Sequence, residues 1–326
     1  MTAVRVAVTG AGSLFGQGII KCLRQAATPV DLLGLDYFEQ AVGLRWCDRS
    51  ALLPDLLADD VSEDAWLAAL VGELRAHGSR LLFVGADFEL LPLARHAASI
   101  AGSGVHVLVS PPEVVQVCKD KHATASWLRD HGFPAPMTLL PAAGEHEIEQ
   151  ALGFPLVVKP RFGSRSRGVT VVRDGPALAR ALVEVAEPCA QQYLPDDEAE
   201  FSCGVMVLDG EIDSVVVLRR RLRDGNTVDA HSGDWPEIER LCADVARALG
   251  PSGPVNIQLR LHRGTPHIFE INPRFSGTTV FRAMLGVNEP ERLLRHSLGL
   301  GLEPAPRPAR GRVLRYFDEL LEFTDG

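Results

Sequence analysis

The chain has 326 residues, of which 46% are hydrophobic and 23% charged, with a formal net charge of −9 at pH 7. Such a length holds two or three domains with room for a sizeable core, and an acidic balance argues against a nucleic-acid or anionic-membrane surface, which needs clustered positive charge. The basic run Arg219–Arg223 (RRRLR) is too short to reverse this, and no apolar run approaches the roughly 18 residues that span a bilayer.

In chain order, VRVAVTG, VDLLGLD, LLFVGAD and VHVLVS are short apolar runs separated by helical patterns. Such runs read as strands buried on both faces of a parallel sheet. The first strand is expected to open at Val4, and no leader peptide is expected before it. Gly10, Gly12 and Gly16 form a glycine turn after the first strand, and Asp36 stands twenty positions beyond Gly16. On spacing this is a dinucleotide fingerprint. Between the second and third strands, Ser62 is the expected N-cap of a helix that closes at Gly78. Residues 1 to about 111 are therefore expected to form a doubly wound α/β domain.

A helix with prolines at its start is expected next, running through the Lys-Asp-Lys stretch at 119–121 to a stop at Gly132. The strand LVVKP and the polar loop Arg161–Gly168 (RFGSRSRG) follow, then VTVVR, a helix, and the short strand CAQQYLP. EFSCGVMVLDGEIDSVVVLRRRL reads as a hairpin turning at Asp209-Gly210. A helix expected to start near Asp234 precedes a second hairpin, GPVNIQLRLHRGTPHIFEIN. The proline-rich stretch EPAPRPARGR is a surface connection. The six cysteines include no C-x-x-C pair; reduced thiols and a cytoplasmic location are expected.

The chemistry concentrates in the second hairpin. Glu270 and Asn272 are two apart on a strand and share a face. If Ile257 stands opposite Ile271, Gln258 stands opposite Glu270, and Ile257, Leu259, Phe269 and Ile271 form the apolar face. Gln258, Glu270 and Asn272 then present oxygen donors of the kind Mg²⁺ or Mn²⁺ takes alongside substrate phosphates. Lys159, at a strand end beside a glycine-containing loop, and Lys121 suit phosphate oxygens. Backbone groups of Gln192 and Leu194 suit an adenine edge, and Glu200 suits ribose hydroxyls. Arg282, one helical turn past Thr278, is expected to meet a substrate carboxylate. Asp87 and Glu89, at the carboxyl edge of the first sheet, are candidates for an amine contact, equally readable as helix N-terminal acids.

In order, DK, VVKP with its loop, QQYL with a downstream Glu, N-x-Q and E-I-N-P-R-F-S-G resemble the ATP-grasp superfamily. The likeness is strongest to carboxylate–amine ligases of the carbamoyl phosphate synthase large-subunit type. It implies an α/β plus α+β architecture: a Rossmann-like pre-ATP-grasp domain (1–111), a small lobe with a phosphate-covering loop (112–188) and a large lobe with the metal site and C-terminal tail (189–326). It implies that Lys121 and Lys159 hold ATP phosphates, that the loop bearing Ser164, Arg165 and Gly168 covers them, and that Gln191, Gln192, Tyr193 and Leu194 form the adenine hinge. Glu200 matches the ribose acid, Gln258, Glu270 and Asn272 the metal ligands, and Arg274 the arginine that steadies the transferred phosphoryl group. The glycine turn, with Gly12 and Ser13, is implied to face the acceptor substrate, its bare N–H groups open to an anion; Arg165, Ser276, Gly277 and Thr278 are further substrate candidates. The implied partners are ATP, Mg²⁺ or Mn²⁺, and small-molecule carboxylate and amine substrates, with neither nucleic acid nor membrane, in an assembly compatible with a homodimer. One such unit is present where the synthase has two, so the chain is not expected to be that enzyme. The expected activity is ATP-dependent activation of a carboxylate and its coupling to an amine. The alternatives are an NAD(P)-dependent oxidoreductase using the glycine turn and a non-catalytic nucleotide-binding protein.

Overall fold

The structure, a computed structural model, describes residues 2–163, 167–195 and 199–321. The chain divides into two compact units, one of Met1–Val109, Val228–Ala230 and Phe275–Gly326, the other of Ser110–Thr227 and His231–Arg274.

In the first unit, β1 (Val4–Val8), β2 (Val30–Asp36), β3 (Arg49–Leu52), β4 (Leu81–Phe83) and β5 (His106–Leu108) form one parallel sheet in the order β3-β2-β1-β4-β5. Val6, Ala7, Val8, Leu32, Leu35, Leu82 and Phe83 are all buried, as strands covered on both faces require. The covering helices are α1 (Leu14–Arg24), α2 (Glu63–His77) and α3 (Leu90–Ala101). Ser62 Oγ caps α2 by accepting from Ala65 N, and Gly78 ends it in the left-handed region at φ 72°. A Cβ on Gly16 would stand 2.1 Å from Gly10 O, so glycine there is what lets α1 lie close on the turn.

The second unit opens with two helices where one was expected, α4 (Pro112–Lys119) and α5 (Lys121–Asp130). Asp120 makes the break. It takes extended backbone angles and its carboxylate accepts from His122 N and Ala123 N, capping α5. The small sheet holds β6 (Thr138–Leu139), β7 (Leu156–Pro160), β8 (Thr170–Val172) and β9 (Pro188–Gln192) in the order β6-β9-β7-β8, covered by α6 (Glu145–Leu152) and α7 (Gly175–Glu184) around Ile148, Val158 and Leu178. The large sheet takes β10 (Glu200–Leu208) and β11 (Glu211–Arg223), followed in the chain by β12 (Asn226–Ser232), α8 (Pro236–Leu249), β13 (Gly253–His262) and β14 (Thr265–Asn272), with β14, β13, β10 and β11 side by side in that order. Ile238, Cys242, Val245 and Leu249 of α8 pack with Phe201, Cys203, Val205, Ile257, Leu259, Ile268 and Ile271 of the sheet. Pro236 opens α8 at its first position behind Trp235, so Asp234 is not the cap. Asp209-Gly210, Asp224-Gly225 and Arg263-Gly264 all have positive φ at both turn residues, the geometry of two-residue hairpin turns.

The segment after residue 274, read from the sequence with the third domain, lies in the first unit. It contributes α9 (Thr279–Met284), α10 (Glu289–Ser297) and β15 (Arg312–Leu314). Phe275 stacks on Phe83 at 6.0 Å between ring centroids, Asn288 Nδ2 donates to Cys22 O, and Glu291 Oε1 accepts from Ala27 N.

Candidate nucleotide and metal site

The donor trio lies on one face of the large sheet because alternation on β13 and β14 sends the opposite face into the core. Gln258 pairs with Glu270, and Asn256 with Asn272. A bulge between Gln258 and Leu259 shifts the register, so Leu259 faces Ile268 rather than Phe269. Ile268 is the buried core member, and Phe269, expected there, is half-buried under the guanidinium of Arg260. The bulge corrects the apolar face without disturbing the polar one. Asn272 Nδ2 donates to Glu270 Oε1 at 3.0 Å, and Arg274 Nη2 donates to Asn272 Oδ1 at 3.2 Å. The set offers two amide oxygens and one carboxylate; among the described residues no three of His, Cys, Asp and Glu gather as a metal cage. One carboxylate with neutral oxygens fits a hard cation that draws its other ligands from phosphates.

The two lysine ammonium groups come from β7 and α5. Lys159, at the end of β7, is buried and its Nζ donates to Gln191 Oε1 at 2.7 Å. Gln191 Nε2 donates in turn to Thr138 Oγ1 at 2.8 Å. Burial brings the Lys159 ammonium down to about 8, while Cys189, its cross-strand neighbour, and Glu270 pull the other way. Lys159 thus feels the Glu270 carboxylate of the donor trio. Lys121 opens α5, and its Nζ donates to Gly163 O at 2.7 Å at the start of the glycine-containing loop. Asp120 and Arg161 form an ion pair that ties the same helix end to the same loop. Gly168 closes the loop at φ 71° with no room for a Cβ beside Pro160. Ser164 and Arg165 lie outside the described residues.

Of the four expected hinge positions, Gln191 points inward to Lys159 and Thr138, so its side chain supports Lys159 rather than a base. Gln192 N donates to Met137 O at 2.9 Å, which removes that donor from any adenine contact. Tyr193 is half-buried and Leu194 buried; Leu194 O accepts from Arg260 Nη1 at 3.0 Å. Glu200 is held on both sides: its Oε1 accepts from Arg220 Nε at 2.9 Å and Nη2 at 2.6 Å, and its Oε2 accepts from Arg260 Nε at 2.8 Å. Arg220 Nη2 also reaches Gln258 Oε1 at 2.6 Å. Neither arginine was singled out from the sequence. The legible signal was the basic run itself, in which alternation puts Arg220 on the opposite face from Arg219 and Arg221.

The first unit corrects several expectations. Gly12 N donates to Asp36 Oδ2 at 2.7 Å, and Ser13 Oγ caps α1 by accepting from Phe15 N and Gly16 N while donating to Gly85 O at 2.6 Å. The N–H groups of Ala11, Gly12, Ser13, Phe15 and Gly16 are therefore satisfied internally rather than bare for an anion. Asp36 is buried and also accepts from Tyr37 N and Phe38 N, so it is not presented to a ribose. Asp87 is half-buried at the edge of the sheet. Glu89 is buried, accepts from Thr9 Oγ1 and from Tyr37 Oη at 2.7 Å, and its carboxyl is pushed up by burial to about 7. Arg282, expected at a substrate carboxylate, is 1% exposed and forms a two-pronged pair with Glu289 at 2.8 and 2.7 Å. Ser276, Thr278 and Thr279 hydroxyls occupy its other donors at 3.2, 2.7 and 3.1 Å. Ser276 and Thr278 are thus part of a buried support, and Gly277 O accepts from Arg315 Nη2.

A family model described as ATP-grasp in the biosynthetic pathway with Ter operon matches residues 185–319. Among curated proteins, the carbamoyl phosphate synthase large chain of Thermomicrobium roseum is 28% identical over 217 residues, covering 57% of this chain and 19% of its own length. That of Mesorhizobium japonicum is 25% identical over 236 residues, with the same coverage of 57% and 19%. The chain therefore spans about a fifth of the length of these relatives. Among solved structures, the ADP complex of an N5-carboxyaminoimidazole ribonucleotide synthetase superposes with a TM-score of 0.76 at 15% identity, over 96% of this chain and 83% of that one. The biotin carboxylase domain of the Hydrogenobacter thermophilus 2-oxoglutarate carboxylase, solved with MgADP, gives 0.74 at 15%, over 96% and 74%. The L-amino acid ligase of Bacillus licheniformis gives 0.71 at 21%, over 90% and 74%. The fold common to these structures, the matching family model and the sequence likeness point the same way: residues 185–319 match an ATP-grasp family model, and the chain is similar to ATP-grasp proteins.

Proposed function

We propose that this protein is an ATP-dependent ligase that activates a small carboxylate by phosphorylation and couples it to an amine, releasing ADP and phosphate. The observation that carries the reading is that Gln258, Glu270 and Asn272 share one face of the large sheet, in the same unit as buried Lys159, which lies within electrostatic reach of Glu270. The division into a Rossmann-like first domain and two ATP-grasp lobes belongs to the same reading.

A carboxylate is a poor electrophile, and phosphorylation gives it a leaving group. The protein's work is then positioning and charge neutralisation. When bound on Gln258, Glu270 and Asn272, Mg²⁺ or Mn²⁺ supplies charge neutralisation to the phosphates. Lys159 presents a desolvated ammonium to the same phosphates, held in place by Gln191. Arg274, locked by Asn272, presents its guanidinium where negative charge grows on the transferred group. Lys121 and the loop from Arg161 to Gly168 cover the phosphates and keep water from the acylphosphate. The backbone near Leu194 receives the nucleoside, and Arg260 ties that backbone to Glu200. Support comes from relatives that are carbamoyl phosphate synthase large chains and from structural neighbours that include an L-amino acid ligase.

The oxidoreductase alternative has no support: the glycine turn's donors and Asp36 are taken up internally. The test is twofold. Mg²⁺-ATP should raise the melting temperature by mass action and NAD(P) should not. In a matrix of carboxylates and amines, ADP release should require one member of each class. A thermal shift with NAD(P) alone, or ADP release that never depends on an amine, would refute the reading.

A further inference from the structure

Gln258 brings an amide to the cation site, and an amide has two unlike ends of nearly the same size. Only the oxygen binds a cation; the NH₂ repels it. The shape of the pocket cannot choose between the ends, so a hydrogen-bond partner must. That partner is Arg220, whose Nη2 stands 2.6 Å from Gln258 Oε1. A guanidinium only donates, so it accepts the oxygen end alone. The carbonyl oxygen keeps a second lone pair for a cation.

Arg220 is itself fixed. Register places Glu200 opposite Arg220 on β11 and opposite Arg260 on β13, so the three side chains form a row across the sheet face. The Arg220 side chain is 8% exposed and Glu200 13%. Arg220 spends Nε and one Nη2 hydrogen on Glu200, leaving the other Nη2 hydrogen for Gln258. Two guanidinium groups on one carboxylate leave the row net positive. That suits a cation arriving on a triphosphate, because the complex as a whole is an anion.

We infer that Arg220 is a positioning residue that sets the amide orientation of Gln258, so that Glu200 serves the cation site through Arg220. This rests on Gln258 being a metal ligand. Groups standing behind metal ligands typically change metal affinity 10–100-fold, and a carboxylate, whose two oxygens are identical, needs no such orientation. The test is Mn²⁺ titration by electron paramagnetic resonance, with a non-hydrolysable ATP analogue held saturating. Arg220→Met should weaken Mn²⁺ binding by about 10–100-fold, and Arg220→Met/Gln258→Glu should return to within about fivefold of Gln258→Glu alone. The Met variant leaves Glu200 paired with Arg260, so no buried charge is stranded. Should it still fail to fold, Arg220→Lys, which lacks the fork needed to hold both partners, should show the same loss and the same rescue. A loss below about fivefold, or no rescue by Gln258→Glu, would overturn the inference. Wild type that binds no Mn²⁺ with the analogue would instead overturn the reading of the site.

Discussion

Lys159 Nζ donates to Gln191 Oε1 at 2.7 Å, both residues buried in the small sheet. Burial favours the neutral amine, so the proton is half lost at about 8 instead of 10.5. In the free protein the cost of charging this group is present below about pH 8 and fades as pH climbs toward the unfolded value. Stability therefore gains over that window while nucleotide affinity, which needs the ammonium, falls. Calorimetric ATP titrations should show steady affinity at neutral pH and a loss of about tenfold per unit well above pH 8. Lys159→Met should bind weakly with no such slope. A wild-type affinity unchanged through pH 9.5 would remove Lys159 from the phosphate site.

Glu270→Gln exchanges the one carboxylate of the donor trio for an amide of the same size. Turnover should fall on the order of 10²–10³-fold, with the melting temperature of the nucleotide-free protein within a degree or two. Glu270 is half-buried and outside the apolar cluster, so the fold does not depend on its charge. Near-normal ATP consumption by the pure variant would mean that the cation is held elsewhere.

Arg282→Ala strands Glu289, a carboxylate only 1% exposed. Removing one partner of a buried pair costs about 3–5 kcal/mol, read as a lower urea midpoint. Replacing both with Met and Leu should recover much of that. A variant of normal stability with a raised KM for the carboxylate would instead restore the substrate contact expected from the sequence.

Glu89 is buried and its carboxyl lies at about 7, up from 4.5. Between those values the folded protein keeps a proton that the unfolded chain releases, so stability falls as pH rises through the window and stays reduced above it. The full effect is on the order of 3 kcal/mol. Glu89→Gln keeps an acceptor for Tyr37 and has no proton to lose. Its urea midpoint relative to wild type should climb from pH 4.5 to 7 and then level off; parallel profiles would show that Glu89 does not titrate there.

The sequence by itself determined the ordered motifs, the parallel pattern of the first unit and the two hairpins, because each rests on local rules. Asp-Gly and Arg-Gly turns take positive φ, and period-two alternation separates oxygen donors from the core. The third turn, Asp224-Gly225, obeys the same rule. What only the tertiary structure decided follows from two bulges and from long-range partners. Counting back from Asp209-Gly210 without a bulge sets Glu200 opposite Arg219; the shift between Met206 and Val207 makes the partner Arg220. The shift after Gln258 likewise exchanges Phe269 for Ile268 in the core. A one-residue slip turns every side chain beyond it to the other face, and no local preference fixes where the slip falls. Arg282 illustrates the second cause: a helix arginine reads the same whether it meets substrate or a buried glutamate. The deciding fact, Glu289 folded back seven residues later among three hydroxyls, exists only in the packed chain.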